Sequence, residues 1–375
     1  MAGLYIHIPF CKSRCSYCGF FSTTLLKRRQ AYVQALEKEM TQRAGYLQGE
    51  TIQTVYLGGG TPSQLTEEQL SFLTLAMERI LPGFDPLEMT LEANPDDVTP
   101  QFVRSLKSLP FNRISLGIQT FQDDILKLIN RRHTAKEASD AVRRIQDAGI
   151  GNVSVDLIYG LPFQSLELWQ EDLRKALELS PRHLSAYCLS YEEGTLMEKM
   201  LKEGQIPPVD EQTLLSAYRM LVKTLKEAGY THYEISNFAL EGWRSRHNSS
   251  YWDGTPYLGL GAGAHSYDGK SRRWNVSHLS SYIQGIEKGK PGFGQETLDD
   301  DTRYNEMVMT RLRTREGILL DSVRELWGQK RRDYLLKMAA KGMERGLLEI
   351  TEGRLKLTEE GVFLSDGLIS EMMWV

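Results

Sequence analysis

The 375-residue chain has only four cysteines, and three of them fall between residues 11 and 18. So uneven a distribution cannot staple a long chain, which excludes a secreted disulfide scaffold. An excess of either charge is also lacking. Forty-five basic residues against forty-nine acidic ones leave a net charge of −4, which provides no broad positive field for counterion-driven nucleic-acid binding. The longest apolar runs, such as that around 153–161, fall far short of the roughly 18 residues of a membrane helix, and the N-terminus has no charged-then-apolar signal region. The expectation is a cytoplasmic protein without an integral membrane segment. Repeats and low-complexity tracts are absent too. What remains is ordinary globular composition, 41% hydrophobic and 25% charged. At about 150 residues per domain, the length suits two domains or a barrel with an appendage.

Up to about residue 190, short β-branched or apolar runs alternate with helical patterns, the signature of parallel βα units. Six strands are predicted, at 4–8, 54–57, 89–92, 113–119, 153–159 and 184–189, with helices at 30–44, 70–80 and 168–179. Polar or special residues stand at or just past each strand's carboxyl end: Cys11, the Gly58–Thr61 turn, Glu92, Gln119, Asp156 and Cys188. Convergence of strand tips on one mouth is how barrel active sites are built, so an α/β fold with a partial (β/α)6 barrel over residues 1–200 is expected. Residues 201–298 read as an α+β extension. Within it 210–229 is helical, 233–235 is a short strand, and the aperiodic aromatic segment 247–267 is a long functional loop. An acidic linker at 299–301 opens residues 299–375, where helices followed by a hairpin around Glu352-Gly353 suggest a small winged-helix-like domain.

Cys11, Cys15 and Cys18 form C-x3-C-x2-C just after the first strand, and thiolates so close converge on one centre. A structural zinc would take a fourth ligand, which only Cys188 could supply through the fold. Three thiolates on a four-iron cluster leave one iron open, where a substrate or cofactor can be activated. Cys188 itself reads as a core thiol on the sixth strand.

With Tyr5-Ile6-His7-Ile8-Pro9-Phe10 before the cysteines and Gly58-Gly59-Gly60-Thr61-Pro62 after them, the chain resembles the radical S-adenosylmethionine (SAM) superfamily. Glu92-Ala93-Asn94-Pro95, Gly117-Ile118-Gln119-Thr120-Phe121, Asn130-Arg131, Asp156 to Pro162 and His247-Asn248-Ser249-Ser250-Tyr251-Trp252 narrow the resemblance to the HemW family of heme chaperones. That resemblance implies a [4Fe-4S] cluster on the three cysteines and SAM at Tyr5, Gly59, Gly60, Thr61, Glu92, Gln119, Arg131 and Asp156. It also implies heme ligated by His247. Tyr251 and Trp252 beside that histidine offer flat apolar surface, and His265, in Gly261-Ala262-Gly263-Ala264-His265, reads as an alternative ligand or a substrate-pocket residue that the resemblance does not assign. The implied partners are heme and acceptor hemoproteins; a homodimer and peripheral membrane contact stay open. The alternatives are oxygen-independent coproporphyrinogen III dehydrogenase, a radical SAM oxidative decarboxylase, and a non-catalytic scaffold retaining a cluster. The dehydrogenase's motif continues as CxC, where this chain has Cys18-Gly19-Phe20, and it carries an extension before the cluster where this chain reaches Cys11 almost at once.

Overall fold

The computed structural model describes residues 1–375. Strands β1 (Ala2–Ile8), β2 (Ile52–Gly59), β3 (Phe84–Ala93), β4 (Arg113–Gln119), β5 (Val153–Tyr159) and β6 (His183–Cys188) pair in parallel and in sequence order. β4 and β5 match the bounds read from their β-branched runs. β1 to β3 extend further, because ladder pairing continues through residues whose own strand preference is weak. β1 and β6 do not pair with each other, so the barrel is partial and open along one side.

Helices Arg29–Gln42, Glu67–Ile80, Ala135–Asp147 and Leu166–Glu178 supply apolar faces to the core that β1 to β6 share. Their starts are set locally. Thr66 and Thr134 each form a capping box, with Gln69 and Glu137, and the Ser165 side chain accepts from Leu168 N. The inner faces of the strands are unusually polar. Thr54, Thr90, Arg113, Ser154 and His183 are all buried, and Nε and Nη1 of Arg113 find no hydrogen-bond partner.

Beyond β6 the sheet is continued by the hairpin of β7 (Thr231–Glu234) and β8 (Asn237–Ala239): β8 pairs antiparallel to β6, and β7 pairs antiparallel to β8 at the edge. On the β1 side it is continued by β9 (Tyr257–Leu260), β10 (His265–Tyr267), β11 (Ser271–Asn275) and β12 (Phe293–Thr297). These strands correct the expectation of a long loop over 247–267. Its first part is the helix Arg246–Asp253, capped by Ser245 and ended by Gly254 at φ 77°, and its second part pairs with β1 and β10. The helix forms because Glu88 on β3 accepts from the amides of Arg246 and His247 at 3.0 and 2.9 Å, placing an anion on the helix N-terminus. That partner lies far away in sequence, so no local pattern announces it.

The acidic stretch 299–301 is likewise no linker. Asp299 caps the helix Asp300–Arg311 by accepting from Thr302 N at 2.8 Å, and the next two aspartates sit in its first turn. Residues from Tyr304 to Met372 gather a second apolar core around Val308, Leu335 and Ala339. Over it lies a small antiparallel sheet of β13 (Ile318–Leu319), β14 (Leu348–Thr351) and β15 (Arg354–Leu357). The β14–β15 hairpin turns at Glu352 and Gly353, both at positive φ, as a two-residue hairpin requires.

Candidate cofactor site at the barrel mouth

The cysteine loop is tied down on several sides. Cys11 N donates to Thr23 O at 2.9 Å, Ser16 N to Ile129 O at 3.1 Å and Met197 N to Ser16 O at 2.8 Å, so both flanks of the loop are held by backbone bonds. Asn130, at φ 57°, donates through Nδ2 to Arg14 O at 2.6 Å. The glycine turn closes on the same loop: Gly60 N donates to Ile8 O at 2.9 Å, and a Cβ on Gly60 would stand 2.6 Å from the Pro9 carbonyl carbon. Only glycine permits that approach, and the approach brings Thr61 to Cys11.

A chain of polar contacts then joins two cysteines across the mouth. Cys11 Sγ lies 3.4 Å from Thr61 Oγ1, and Asn94 Nδ2 donates to that oxygen at 3.4 Å. Arg131 Nη2 donates to Asn94 Oδ1 at 2.8 Å, while Nη1 reaches Cys15 Sγ at 3.5 Å. Arg131 also donates to the Gly117 carbonyl, and its Nε is buried without a partner. Burial pushes the Cys11 and Cys18 thiols up, and the charge of Cys15 adds to both shifts, so the three sulfurs sense one another. No three His, Cys, Asp or Glu side chains converge tightly enough to hold a single metal ion. A donor set of three coupled thiols on one loop, with a cation beside it, suits a polynuclear iron-sulfur centre better than a tetrahedral ion.

Next to the thiols is a cradle floored by glycine. Glu92 accepts from Tyr56 Oη at 2.7 Å and from Gly59 N at 3.0 Å. A Cβ on Gly58 would stand 2.9 Å from Glu92 Oε1; on Gly59, at φ 106°, it would stand 2.2 Å from the His7 ring. Tyr5 Oη lies 3.0 Å from His7 Nδ1, and its ring stacks on Tyr56. Gln119 ends β4 at φ 74°, a strained conformation for a residue with a side chain. Its Nε2 would be 2.9 Å from a Cβ on Gly117, with Arg131 Nη2 at 3.2 Å, so both side chains occupy the space that Gly117 leaves. Asp156 accepts from Ser115 Oγ at 3.2 Å and is pushed up mainly by burial.

The residues expected at a SAM site thus stand on the carboxyl halves of β1 to β5 or in the segments that follow them. Glycine-floored space lined by carboxylates, amides and a guanidinium fits a zwitterionic amino-acid end. Sequence reasoning missed Asn94, which links Thr61 to Arg131. Its position two residues after Glu92 in Glu92-Ala93-Asn94-Pro95 was the available signal. It also missed Asp97, which pairs with Lys12 of the cysteine loop at 2.6 Å and accepts from Ser63 Oγ at 2.8 Å.

Burial pushes Glu92 up to about 7, with Asp156 adding to the shift while the Tyr56 hydroxyl and Gly59 amide oppose it. Between its ordinary 4.5 and that value the folded chain holds a proton that the unfolded chain has released. Stability from this group therefore falls as pH rises through the window. Glu92→Gln should remove about one proton's worth of slope, on the order of 1 kcal/mol per pH unit, from the ligand-free protein. Glu234, also pushed up to about 7 by burial, keeps its own contribution. Urea midpoints at several pH values between 5 and 7 check this, and identical slopes in parent and variant would refute it.

His247 and Cys188 are not where the sequence suggested. His247 is fully buried beside β2: Nδ1 lies 2.9 Å from Thr54 Oγ1 and Nε2 2.9 Å from Tyr251 Oη, and its ring stacks on Tyr56 at 5.2 Å. Burial, with Arg113 nearby, lowers it to about 3, so it stays neutral. Both ring nitrogens are engaged, so the expectation of an imidazole open to heme iron is not met in this conformation. Through Tyr56, whose hydroxyl holds Glu92, His247 instead buttresses the glycine cradle. Cys188, expected in the core, is exposed, because it is the last residue of β6, where the strand leaves the sheet at the mouth. His265, the alternative heme ligand, is exposed at the start of β10.

Six parallel strands with a three-cysteine loop after the first and a glycine turn after the second define a radical SAM protein. The model of the radical SAM superfamily matches residues 5–176, and that of the HemN C-terminal domain matches 298–364. The chain belongs to the HemW family of heme chaperones. It is 35% identical over 372 residues to heme chaperone HemW of Bacillus subtilis, covering 98% of this chain and 97% of that one. It is also 33% identical over 377 residues to the HemW of Mycobacterium tuberculosis, covering 99% and 94%, and 35% identical over 322 residues to that of Escherichia coli, covering 84% and 83%. The solved structure of E. coli coproporphyrinogen III oxidase (HemN), a radical SAM enzyme, superimposes with a TM-score of 0.86 over 99% of this chain and 90% of that one. At 24% identity that likeness speaks for the fold alone. No helix is long and apolar enough to cross a membrane.

Proposed function

We propose that this chain is a heme chaperone: it binds a [4Fe-4S] cluster, SAM and heme, and passes heme to acceptor hemoproteins. The observation that carries the reading is end-to-end similarity to proteins named heme chaperone HemW, at 35% identity over 98% of the chain. The site supports it. Cys11, Cys15 and Cys18 would hold the cluster, which leaves an iron open to a further ligand. Tyr5, Gly59, Gly60, Thr61, Glu92, Gln119, Arg131 and Asp156 would surround SAM, with Asn94 joining Thr61 to Arg131. The chain's own contribution is positional. The glycine turn admits a charged group to the backbone, Tyr56 and Gly59 N orient Glu92, and Arg131 adds positive charge beside Cys15. Heme binds apart from these residues in this reading, at a surface able to release it.

Phe20, 71% exposed, stands where the coproporphyrinogen dehydrogenase has a further cysteine, and this favours the chaperone over the decarboxylase. Anaerobic reconstitution followed by hemin titration and a coproporphyrinogen III turnover assay tests the choice. The expected result is hemin binding with SAM bound and no porphyrinogen conversion. Conversion of coproporphyrinogen III would overturn the reading.

A further inference from the structure

Asp97 ends the short turn Pro95–Asp97 after β3, and its side chain is only 4% exposed. Both carboxylate oxygens are engaged. Oδ1 takes Lys12 Nζ at 2.6 Å and Arg132 Nη2 at 3.6 Å, while Oδ2 accepts from Ser63 Oγ at 2.8 Å and from Gln64 Nε2. Every one of these donors borders a residue of the cofactor site. Lys12 follows Cys11, Ser63 and Gln64 come just after Thr61, and Arg132 follows Arg131. Ser63 Oγ also accepts from Asn94 N at 3.4 Å, and the neighbouring Asp96 takes Arg132 Nη1 at 2.6 Å.

Three segments far apart in the chain therefore meet on one buried carboxylate: the cysteine loop, the glycine turn and the segment of Arg131. Hydrogen bonds to an ionised acceptor are stronger than neutral ones, and removing a partner from a buried charge is costly, so the donors are kept in one arrangement. An amide of the same size cannot replace the carboxylate. One of its two heads only donates, and whichever way it turns that head faces donors.

Resting on the reading of the cluster and SAM site above, we propose that Asp97 is the positioning residue that couples the two. It sets the cysteine loop, the glycine turn and the Arg131 segment in one relative placement, so that the open iron and the glycine cradle face the same ligand. A ligand bound at both places loses affinity when either is displaced by about 1 Å. The thiol loop itself is held by its backbone bonds to Thr23, Ile129 and Met197, so the cluster does not depend on Asp97.

SAM titrations of the iron-replete full chain test the assignment, read by calorimetry and by the change that SAM produces in the paramagnetic resonance of the reduced cluster. Asp97→Asn should keep the iron of the parent and need about tenfold more SAM by both readouts. Lys12→Met should weaken binding in the same direction, and the double variant should bind no more weakly than Asp97→Asn, because both changes break one contact. Lys12 is 45% exposed, so its variant folds and decides the matter if Asp97→Asn does not. Glu39→Gln disturbs another buried carboxylate, 2% exposed, which accepts from Gly261 N at 2.8 Å and Tyr282 Oη at 2.7 Å. It should lower the urea midpoint and leave SAM affinity at the parent value. Parent-like SAM affinity in either single variant overturns the assignment alone, as does an equal loss in Glu39→Gln. A parent protein that binds no SAM on its reconstituted cluster overturns the reading of the site and this assignment with it.

Discussion

Replacing Cys15 by alanine should abolish the iron-sulfur absorbance and reduce bound iron to background, while Cys188→Ala keeps both close to parent levels. The two thiols differ in place. Cys15 lies on the tied-down loop with Cys11 and Cys18, beside the Arg131 guanidinium at 3.5 Å. Cys188 lies at the end of β6 and takes part in none of these contacts. Iron-sulfur centres need soft thiolate donors, and a loop with two of its three sulfurs cannot replace the third from Thr61 or Asn94, whose oxygen and amide are poor substitutes. Iron and sulfide analysis of anaerobically reconstituted protein provides the measurement. Equal loss in the two variants would mean that Cys188 is a ligand and the three-cysteine assignment is wrong.

Gly59→Val should weaken SAM binding by at least about a hundredfold without removing iron, because the substitution fails on two counts at once. The residue sits at φ 106°, which a β-branched residue does not adopt without strain, and its Cβ would lie 2.2 Å from the His7 ring. Relief requires the turn to move, and the turn carries the amide that orients Glu92. The thiols are held by separate bonds, from Thr23, Ile129 and Met197, and these survive a shift of Gly59. Calorimetric titration under nitrogen of the iron-replete variant decides the matter: parent-like SAM affinity would take this turn out of the site.

The legible parts of the molecule are those whose cause is short in sequence. The bounds of β4 and β5 and the hairpin turn at Glu352-Gly353 follow from local propensity and turn chemistry. The cysteine spacing and the glycine turn are legible for the same reason, since each places its donors on one short loop. Four outer strands, β9 to β12, escaped notice because they are short and take their place from β1, which pairs with β9 from the far end of the chain and so gives the successive pairs β9–β10, β10–β11 and β11–β12 a sheet to extend.

By itself, then, the sequence determined the parallel βα order, the three-thiol loop and the glycine turn, all set by spacing within a few residues. Tertiary structure decided which side chains are free to act. The sequence put His247 ahead of His265 on its flanking motif, but nothing near either one in sequence shows which of the two has its ring nitrogens engaged. Glu88 from β3 starts the helix that carries His247, and Thr54 and Tyr251 take both of its nitrogens. Glu39, from the helix after the cysteine loop, holds the turn that leaves His265 open. Burial and hydrogen-bond satisfaction are properties of the packed neighbourhood, assembled here from segments hundreds of residues apart, so only the folded chain could assign them.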